Sequence, residues 1–486
     1  MKRVIKYLPE IILAIAFIGI QSFHINADFW NDEIYTLKNF VFTNFKTTIG
    51  DYHVPNNHIF FNVLNNIFLK IFGPASLFEL MDYPYRLRVL SLVYATITLR
   101  YVYLFAAKLL NRKVALLSMI ILLTTIPYFN FAMQIRGYGL SATLLIICLY
   151  YCFIYIENNG KIKLIWIALS GALLVYTIPS NLYFTFSIGL FFTVFAILDY
   201  LKNKNYFAKI SHVLLALAIA HGLALLMFIP IFQEVFLNEY VSSGRSFRFP
   251  LINYFATFVS KGFVSNRWFL LFMGMFGLVL NYKYLKLYKQ YVVVCCLLFL
   301  IPVLIIFVRA DEAPLRAFIP IMPILSILLA IGLNALMIKF LKDKKLEWLF
   351  ILGVLLYSLF SFKFEIDKMS NRIYAALEDQ ERPQDLYYQY YSFYYQPLTD
   401  MKNFSTVYKQ NPLPVLIMGC EPHGIPNYLE KFGIPIVGQN DENYLRNTKT
   451  PFYLITNHAN KFLENKDLDL ELLSEELFYH TVLRCN

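Results

Sequence analysis

Long apolar runs separated by short polar stretches dominate the first three quarters of the chain. Several runs reach about 18 residues with few charges, the length that an α-helix needs to cross the hydrocarbon core of a bilayer. A water-soluble helix would instead mix apolar and polar residues with a period of about 3.6. The pattern therefore predicts an α-helical polytopic membrane protein with about 11 transmembrane helices. The spans are expected at 9–25, 87–107, 113–129, 138–156, 163–178, 182–200, 210–232, 268–282, 291–308, 317–338 and 346–363.

The pattern changes after residue 363, where charges become frequent and long apolar runs stop. We therefore divide the chain into a membrane region, residues 1–363, and a small α/β domain, residues 364–486. Within the domain, β-type patterns lie at 414–418, 434–437 and 452–455, and helical patterns lie at 424–431 and 468–477.

Basic residues predict the orientation of the chain. Eighteen of the 43 lysines and arginines fall in the N-terminal segment and in every second short loop. Because Lys and Arg concentrate in cytoplasmic loops, we expect the N-terminus inside a bacterial cytoplasmic membrane. The segments 24–86 and 233–267 are then external loops, and the C-terminal domain is extracytoplasmic. The apolar run at 11–20 lacks a small-residue cleavage site after it, so we expect it to remain as the first span.

Composition supports a membrane protein. The chain is 58% hydrophobic and 15% charged, with a mean hydropathy of +0.52, whereas soluble domains are about 45–50% apolar and about 25% charged. The net charge of +11 follows from the basic loops, so no nucleic-acid partner is expected. Four of the six cysteines lie in predicted spans, and an oxidising exterior permits a disulfide between the other two, Cys420 and Cys485.

Acidic and basic side chains gather on the predicted external side, although they are far apart in sequence. Asp32 and Glu33 follow the first span, and His58 lies further along the same loop. Arginine suits bidentate capture of phosphate, and neighbouring carboxylates suit a general base or a divalent metal. A membrane-embedded substrate with a phosphate near the outer surface, such as a polyprenyl-phosphate sugar, would match this set. The arginines at external span ends are Arg88, Arg136, Arg309 and Arg316.

Five short segments occur in a recognisable order. They are Trp30–Thr36 (WNDEIYT), Asn57–Asn62 (NHIFFN), Leu87–Ser91 (LRVLS), Gln134–Leu140 (QIRGYGL) and Arg316–Pro323 (RAFIPIMP). Together they resemble motifs of the GT-C superfamily of polyprenyl-phosphate-sugar-dependent glycosyltransferases, in the bacterial branch related to protein O-mannosyltransferases and the aminoarabinose transferase of lipid A. The resemblance covers roughly residues 20–340. The chain departs from the family at Ile59 and Phe60, where the family motif has two prolines, and at Ala317, where it has tyrosine.

The resemblance implies sugar transfer from a polyprenyl-phosphate donor to an acceptor hydroxyl, with inversion at the anomeric carbon. In this scheme Asp32 would deprotonate or orient the acceptor, which could belong to a glycan, a lipid or a protein. Glu33 would orient the site or, with His58, help to hold a divalent metal ion. The residues that would bind the lipid phosphate or the donor are Arg136, Arg316, Tyr138, Arg88 and Arg309.

Other interpretations are open at this stage. Asp32 and Glu33 could cap an interfacial helix, His58 could be a hydrogen-bonded loop residue, and the arginines could anchor at lipid headgroups. A glycolipid transporter or flippase would show internal repeats, for which the sequence gives no convincing sign. A surface-polysaccharide polymerase or ligase would share the many spans but would lack the acidic pair after the first span.

Overall fold

The computed structural model of the chain describes residues 7–22, 25–202, 204–236, 268–280, 282–309, 315–378, 397–420, 422–456, 462–463, 470–473 and 481–485. In these residues the membrane region is built from helices. They are α1 (Leu8–Ser22), α2 (Asn31–Thr36), α3 (Phe45–Gly50), α4 (Ile59–Phe72), α5 (Leu77–Asp82), α6 (Tyr85–Leu109), α7 (Arg112–Leu123), α8 (Ile126–Met133), α9 (Tyr138–Asn158), α10 (Lys161–Thr177), α11 (Leu182–Lys202), α12 (Phe207–Phe228), α13 (Phe232–Phe236), α14 (Trp268–Leu280), α15 (Tyr282–Arg309), α16 (Met322–Phe340) and α17 (Lys344–Glu378).

Each predicted span coincides with a described helix or helix pair, which confirms the α-helical membrane fold. With their flanking turns, α6, α9, α11, α12, α16 and α17 are long and apolar enough to cross a bilayer, and the bent pair α7–α8 is a seventh candidate. Shorter apolar helices are α1, α4, α14 and part of α15. The number of eleven crossings therefore stays a prediction. The boundary placed at residue 363 falls inside α17, which continues to Glu378.

Helices α9 and α16 form the centre of the membrane region, since 89% of the residues in the apolar stretch of each helix are buried. Helices α6 and α10 pack against α9, and α7 and α14 pack against α16. On the outer helices, apolar side chains such as Val279 and Phe360 are exposed. This distribution suits a bundle in lipid, because lipid tails solvate apolar side chains as well as a protein core does.

Helix α7 does not continue straight into α8, although residues 113–129 were predicted as one span. The two helices meet at a bend of 69°, and Pro127 lies in the first turn of α8. Proline supplies no backbone N–H and disfavours a helical conformation at the residue before it, so a break is expected here. The bend directs α8 into the protein, and the turn after it carries Arg136.

The first external segment, predicted as one long loop, is largely helical. It contains α2, extended by a π-helical turn at Leu37–Val41, and α3 to α5. Buried amides tie its turns together. The Asn57 Nδ2 donates to the carbonyl oxygens of Thr48 and Asp51 at 3.0 and 2.7 Å, and the Asn66 Nδ2 donates to that of Val41 at 2.9 Å. These bonds make the segment a defined platform for the side chains it carries.

The C-terminal domain is a small α/β unit, as predicted. Its elements are α18 (Pro397–Gln410), β1 (Val415–Met418), α19 (Gly424–Lys431), β2 (Ile436–Gln439), α20 (Glu442–Asn447), β3 (Phe452–Thr456), β4 (Leu470–Leu472) and β5 (Thr481–Cys485). The strand order is β2-β1-β3-β5-β4, parallel among β2, β1 and β3 and antiparallel at β3–β5 and β5–β4. The helix predicted at 468–477 is wrong at 470–472, where β4 pairs with β5 and tertiary pairing outweighs local helix propensity. Residues 468, 469 and 474–477 lie outside the described residues.

The sheet register excludes the disulfide between Cys420 and Cys485. Cys485 pairs with Phe452 at one end of β3, whereas Met418 pairs with Thr456 at its other end and Cys420 lies beyond Met418. In addition, β1 and β5 lie on opposite sides of β3, about 10 Å apart at about 4.8 Å per strand spacing. A disulfide requires Cα atoms less than about 7 Å apart, and Cys420 is not in a disulfide. The Cys420 thiol instead contacts the carbonyl oxygen of Ile455 at 3.7 Å.

Candidate active site

Asp32 lies in the first turn of α2 and meets two arginines from distant parts of the chain. Its Oδ2 is 3.4 Å from Arg136 Nη1 and 3.9 Å from Arg316 Nη2. The side chains of Asp32 and Arg316 are 21% and 20% exposed, whereas Arg136 is almost fully buried. The distances are longer than the roughly 2.8 Å of a tight charge-assisted bond, so the guanidinium groups can accommodate another anion.

Arg136 is held in the turn between α8 and α9. Its Nη1 donates to Asn56 Oδ1, and its guanidinium lies 5.7 Å from the centre of the Tyr138 ring. The buried Nε of Arg136 has no hydrogen-bond partner among the described residues. A buried donor of this kind is costly to leave unsatisfied, which suggests that it has a ligand when the protein functions.

Glu33 is the neighbour of Asp32 but has a different environment. Its side chain is 1% exposed, and its oxygens lie 3.2 and 3.1 Å from Arg88 Nη2. It also accepts the backbone N–H groups of Trp30 at 2.9 Å and Ile135 at 2.6 Å. Glu33 therefore caps α2, which is the alternative that the sequence left open for the acidic pair. It also fixes the turn that carries Arg136, so that Arg136 lies beside Asp32.

Arg88, a predicted donor-binding residue, is buried among groups of the protein itself. Besides the pair with Glu33, it donates to the carbonyl oxygens of Ala27 and, at 3.2 Å, Asp28, and it stacks on Phe29 with 4.8 Å to the ring centre. With only 3% of its surface exposed, Arg88 is already engaged by the protein. Its role in donor binding stays a prediction, and the contacts that the structure shows are with Glu33, two backbone carbonyl groups and Phe29.

His58 precedes α4 and is buried at the base of the site. Its Nδ1 accepts the backbone N–H of Gly137 at 2.7 Å, and its ring packs edge-on against Tyr138 at 4.9 Å. Burial, aided by the positive charges of Arg136 and Arg316, lowers the pKa of His58 well below its usual value. His58 is therefore neutral and positions the turn next to Arg136.

The residues predicted for a divalent metal do not form a site that fits one. Both oxygens of Glu33 face a guanidinium, and the Nδ1 of His58 is occupied by a backbone N–H. In the part of the chain that the structure describes, no three His, Cys, Asp or Glu side chains are grouped as a metal site would require. Arg309 ends α15, and its side chain lies outside the described residues.

The sequence analysis missed two residues that border Asp32. Asn31 contacts Asp32, with 3.5 Å from its Nδ2 to Asp32 Oδ1. His423 reaches the site from the C-terminal domain, where its ring packs against Tyr35 at 4.5 Å. Burial and the charge of Lys38 lower the pKa of His423, and Asp32 opposes this shift. No sequence signal could have placed His423 here, because it lies about 390 positions from Asn31.

A polar chain leads from this region to the protein surface. The Tyr35 hydroxyl and His53 Nε2 are 2.9 Å apart, and the His53 Nδ1 contacts the Asp51 carboxylate. The carboxylate orients the imidazole, which in turn orients the Tyr35 hydroxyl. His53 thus fixes a side chain one turn beyond Asp32 on the same helix.

The fold and this cluster define a class: a many-helix membrane protein with a carboxylate between two arginines, where the segment between α1 and α6, a bent helix and a C-terminal domain meet. The fold of this chain is similar to that of ArnT from Cupriavidus metallidurans. The ArnT structure bound to undecaprenyl phosphate matches with a TM-score of 0.57 and 11% identity, over 98% of this chain and 97% of that chain. The apo structure of the same protein gives 0.58 and 10% over the same shares.

Neither a protein-family model nor a curated protein sequence matches the chain. At this level of identity the likeness is one of fold, and it extends through the C-terminal domain as well as the membrane region. The predicted resemblance to lipid-phosphate-dependent glycosyltransferases, which rested on motifs alone, is therefore confirmed at the level of the fold.

Proposed function

We propose that this protein is a membrane glycosyltransferase that moves a sugar from a polyprenyl-phosphate donor to an acceptor hydroxyl. The observation that carries the proposal is the Asp32 carboxylate held loosely between Arg136 and Arg316. Such a reaction needs a base and phosphate-binding groups next to each other in the site. The ArnT fold supports this assignment, because that protein is known in complex with undecaprenyl phosphate.

In the proposed reaction, Arg136 and Arg316 bind the phosphate of the lipid-linked sugar, with Tyr138 flanking Arg136. A phosphate bound there would offset the positive charge facing Asp32 and so favour proton acceptance by Asp32 once the donor is bound. The acceptor oxygen attacks the anomeric carbon while the bond from this carbon to the phosphate oxygen breaks. The proton moves to Asp32, and the polyprenyl phosphate leaves with the bonding electrons. Direct displacement inverts the anomeric centre.

The arginines supply the electrostatic part of the mechanism. Negative charge grows on the phosphate as the glycosidic bond breaks, and preorganised donors stabilise this charge without reorganisation. Arg136 is suited to this task because the protein fixes it through Asn56 and leaves its Nε without a hydrogen-bond partner among the described residues. Arg309 stays a predicted donor-binding residue.

We place the active face outside the bacterial cytoplasmic membrane, with the N-terminus in the cytoplasm. The distribution of lysine and arginine in the short loops supports this orientation. The acceptor glycan, lipid or protein would then be a component of the cell envelope.

The test is transfer from an isotope-labelled polyprenyl-phosphate sugar to candidate acceptors by the purified protein. Asp32→Asn should lower the transfer rate about 100-fold or more, the range expected for loss of a general base. Glu79→Gln is the matched control, because Glu79 is an exposed carboxylate of the same external segment that pairs with Arg86. Equal rates for wild type and Asp32→Asn would refute the role of Asp32. Movement of the lipid across vesicles without transfer would favour a flippase.

A further inference from the structure

The C-terminal domain docks on the helix that carries Asp32. The hydroxyl of the buried Tyr428 donates to the carbonyl oxygen of Phe29 at 3.1 Å, just before α2. At the other end of α2, Lys38 Nζ donates to Asn427 Oδ1 at 2.8 Å. These contacts clamp both ends of one short helix against α19. The domain therefore forms one side of the structure around Asp32.

Asn31 is the residue through which this docking reaches Asp32. Its Oδ1 accepts two backbone N–H groups of the C-terminal domain, those of His423 at 2.8 Å and Gly424 at 3.0 Å. Since a backbone N–H can only donate, the oxygen of the amide must face the domain. The Nδ2 consequently faces Asp32 Oδ1 at 3.5 Å.

The bonds of Asn31 are not those of an ordinary helix start. Asn31 is the first residue of α2 and follows the N-cap residue, Trp30, so its side chain does not cap the helix. The start of α2 is closed by Glu33, whose carboxylate accepts the N–H of Trp30. The side chain of Asn31 is thereby available to bridge the domain and Asp32.

We propose that Asn31 is a positioning residue that transmits the docking of the C-terminal domain to Asp32. Its amide, fixed by two backbone donors of the domain, holds Asp32 Oδ1 and leaves Oδ2 towards the arginines. The contact of 3.5 Å is at the outer limit of a hydrogen bond, and such contacts often tighten only when substrates bind. This inference rests on the proposed function, in which Asp32 accepts the proton of the acceptor.

The charges around Asp32 determine how a substitution of Asn31 should change the pH dependence of the transfer rate. The groups that face Asp32 are Arg136 and Arg316 from the membrane region and His423 from the C-terminal domain. In an Asn31→Asp variant the new carboxylate would accept the same two backbone N–H groups, which stabilise its ionised form. It would then place a fixed negative charge beside Asp32 in place of an N–H donor. Ionisation of Asp32 becomes harder while docking is preserved.

The experiment compares pH–rate profiles for transfer from an isotope-labelled polyprenyl-phosphate sugar. We expect the acid limb of kcat/KM for Asn31→Asp to move to higher pH by about one unit, as like charges at this range produce. Asn31→Ala should lower kcat at least about tenfold with little change in the KM for the donor, because the arginines remain in place. Tyr428→Phe is the control, since it removes another contact with the domain, the one with the Phe29 carbonyl oxygen, without changing a charge, and it should leave the acid limb where it is in the wild type.

An acid limb of Asn31→Asp that coincides with that of the wild type would overturn the proposal. If that variant does not fold, Asn31→Ala decides: wild-type kcat refutes the role, and a lowered kcat with unchanged donor KM supports it. An equal shift in Tyr428→Phe would show a general effect of docking and would also refute a specific role of Asn31. Failure of the proposed function itself is recognised separately, because the wild type would then transfer no sugar.

Discussion

Asp32 and Glu33 are neighbours in the chain, yet their carboxylates have different environments. Glu33 is buried with Arg88 and two backbone N–H groups, so its charge is fully used by the protein. Asp32 keeps about a fifth of its side chain exposed and is 3.4 Å or more from both of its arginines. Burial therefore distinguishes the two residues: Glu33 supports the structure of the site, and Asp32 is accessible to a bound molecule.

The buried pair gives a prediction about stability. Glu33→Gln leaves Arg88 buried without its counter-charge, and we expect it to lower the free energy of unfolding by about 3–5 kcal/mol. A double variant, Glu33→Gln with Arg88→Met, should recover part of this loss because both charges are then gone. Thermal unfolding of the purified variants in detergent measures both. A double variant less stable than Glu33→Gln would contradict the prediction.

Arg136 gives a prediction about donor binding. Arg136→Lys keeps the charge but loses the planar fork, so it cannot contact Asn56 and a phosphate together. We expect the KM for the lipid-linked donor to rise roughly 10- to 100-fold, the effect of losing one or two charge-assisted hydrogen bonds. The KM for the acceptor should change far less. Steady-state kinetics with each substrate varied in turn makes the comparison, and an unchanged donor KM would rule out phosphate binding by Arg136.

Asp28 gives a prediction about pH. It is partly buried and accepts the N–H of Leu398 at 2.9 Å. Burial raises its pKa from 3.8 to about 6, although the bond from Leu398 and the charge of Arg88 oppose the shift. Because the folded pKa exceeds the unfolded one, the stabilisation is complete below about pH 4 and is lost as the pH rises through about 6.

Asp28→Asn should remove this loss, since the amide keeps an acceptor for Leu398 and carries no charge. The thermal midpoint of the variant relative to wild type should therefore be higher at pH 7.5 than at pH 5. Thermal unfolding at the two pH values provides the measurement. The same difference in thermal midpoint between variant and wild type at both pH values would show that Asp28 does not titrate with a raised pKa.

At the scale of elements, the site depends on helices that approach closely or break. The 69° bend between α7 and α8 turns a membrane helix inward and brings the Arg136 turn under α2. Helices α14 and α16 touch at their backbones, because a Cβ added at Gly277 would overlap the carbonyl oxygen of Gly332, and one at Gly332 would overlap that of Gly274. Small residues at such crossings are how helices pack tightly in lipid.

This contact can be tested with two alanine substitutions. Gly332→Ala must push α14 from α16, and we expect it to lower the thermal midpoint clearly. Gly353→Ala in α17 is the matched control, because nothing lies within 4 Å of the added Cβ. That variant should be neutral or slightly more stable, since alanine favours a helix by about 1 kcal/mol over glycine. Equal effects of the two substitutions would contradict backbone contact between α14 and α16.

At the scale of the whole molecule, the C-terminal domain and the first external segment form one structure. Lys431 of the domain donates to the Phe78 carbonyl oxygen and to the Asp82 carboxylate, both at 2.7 Å. The Leu398 N–H reaches Asp28 between α1 and α2. Both regions must therefore lie on the same side of the membrane. This agrees with the orientation inferred from the basic loops.

The orientation predicts the outcome of cysteine labelling in intact cells. A cysteine at Lys449 in the domain should react with a membrane-impermeant maleimide, whereas one at Lys342, between α16 and α17, should react only after the cells are opened. The unsubstituted chain gives the background from its own cysteines. Labelling of the Lys342→Cys variant in closed cells would reverse the proposed topology.

The apolar pattern determined the membrane helices and the C-terminal α/β domain, because helix length in lipid and strand alternation are local properties of a sequence. The ordered motifs located Asp32, Arg136 and Arg316, since such motifs survive where overall identity is low. The resemblance implied different roles for Asp32 and Glu33, but the sequence could not show that Glu33 is buried in a pair with Arg88 while Asp32 stays partly exposed, because residue type does not reveal burial.

Tertiary structure alone decided three features. The bend before Arg136 depends on how α8 packs, the strand at 470–472 exists only through its pairing with β5, and the contact of His423 and Asn31 joins residues nearly 400 positions apart. Such contacts form when distant segments bury surface and satisfy polar groups together, and no local pattern encodes them. The sequence by itself determined the helical membrane fold and the candidate chemical groups of the site. The tertiary structure decided which of these groups contact Asp32 and which fix the position of the groups that do.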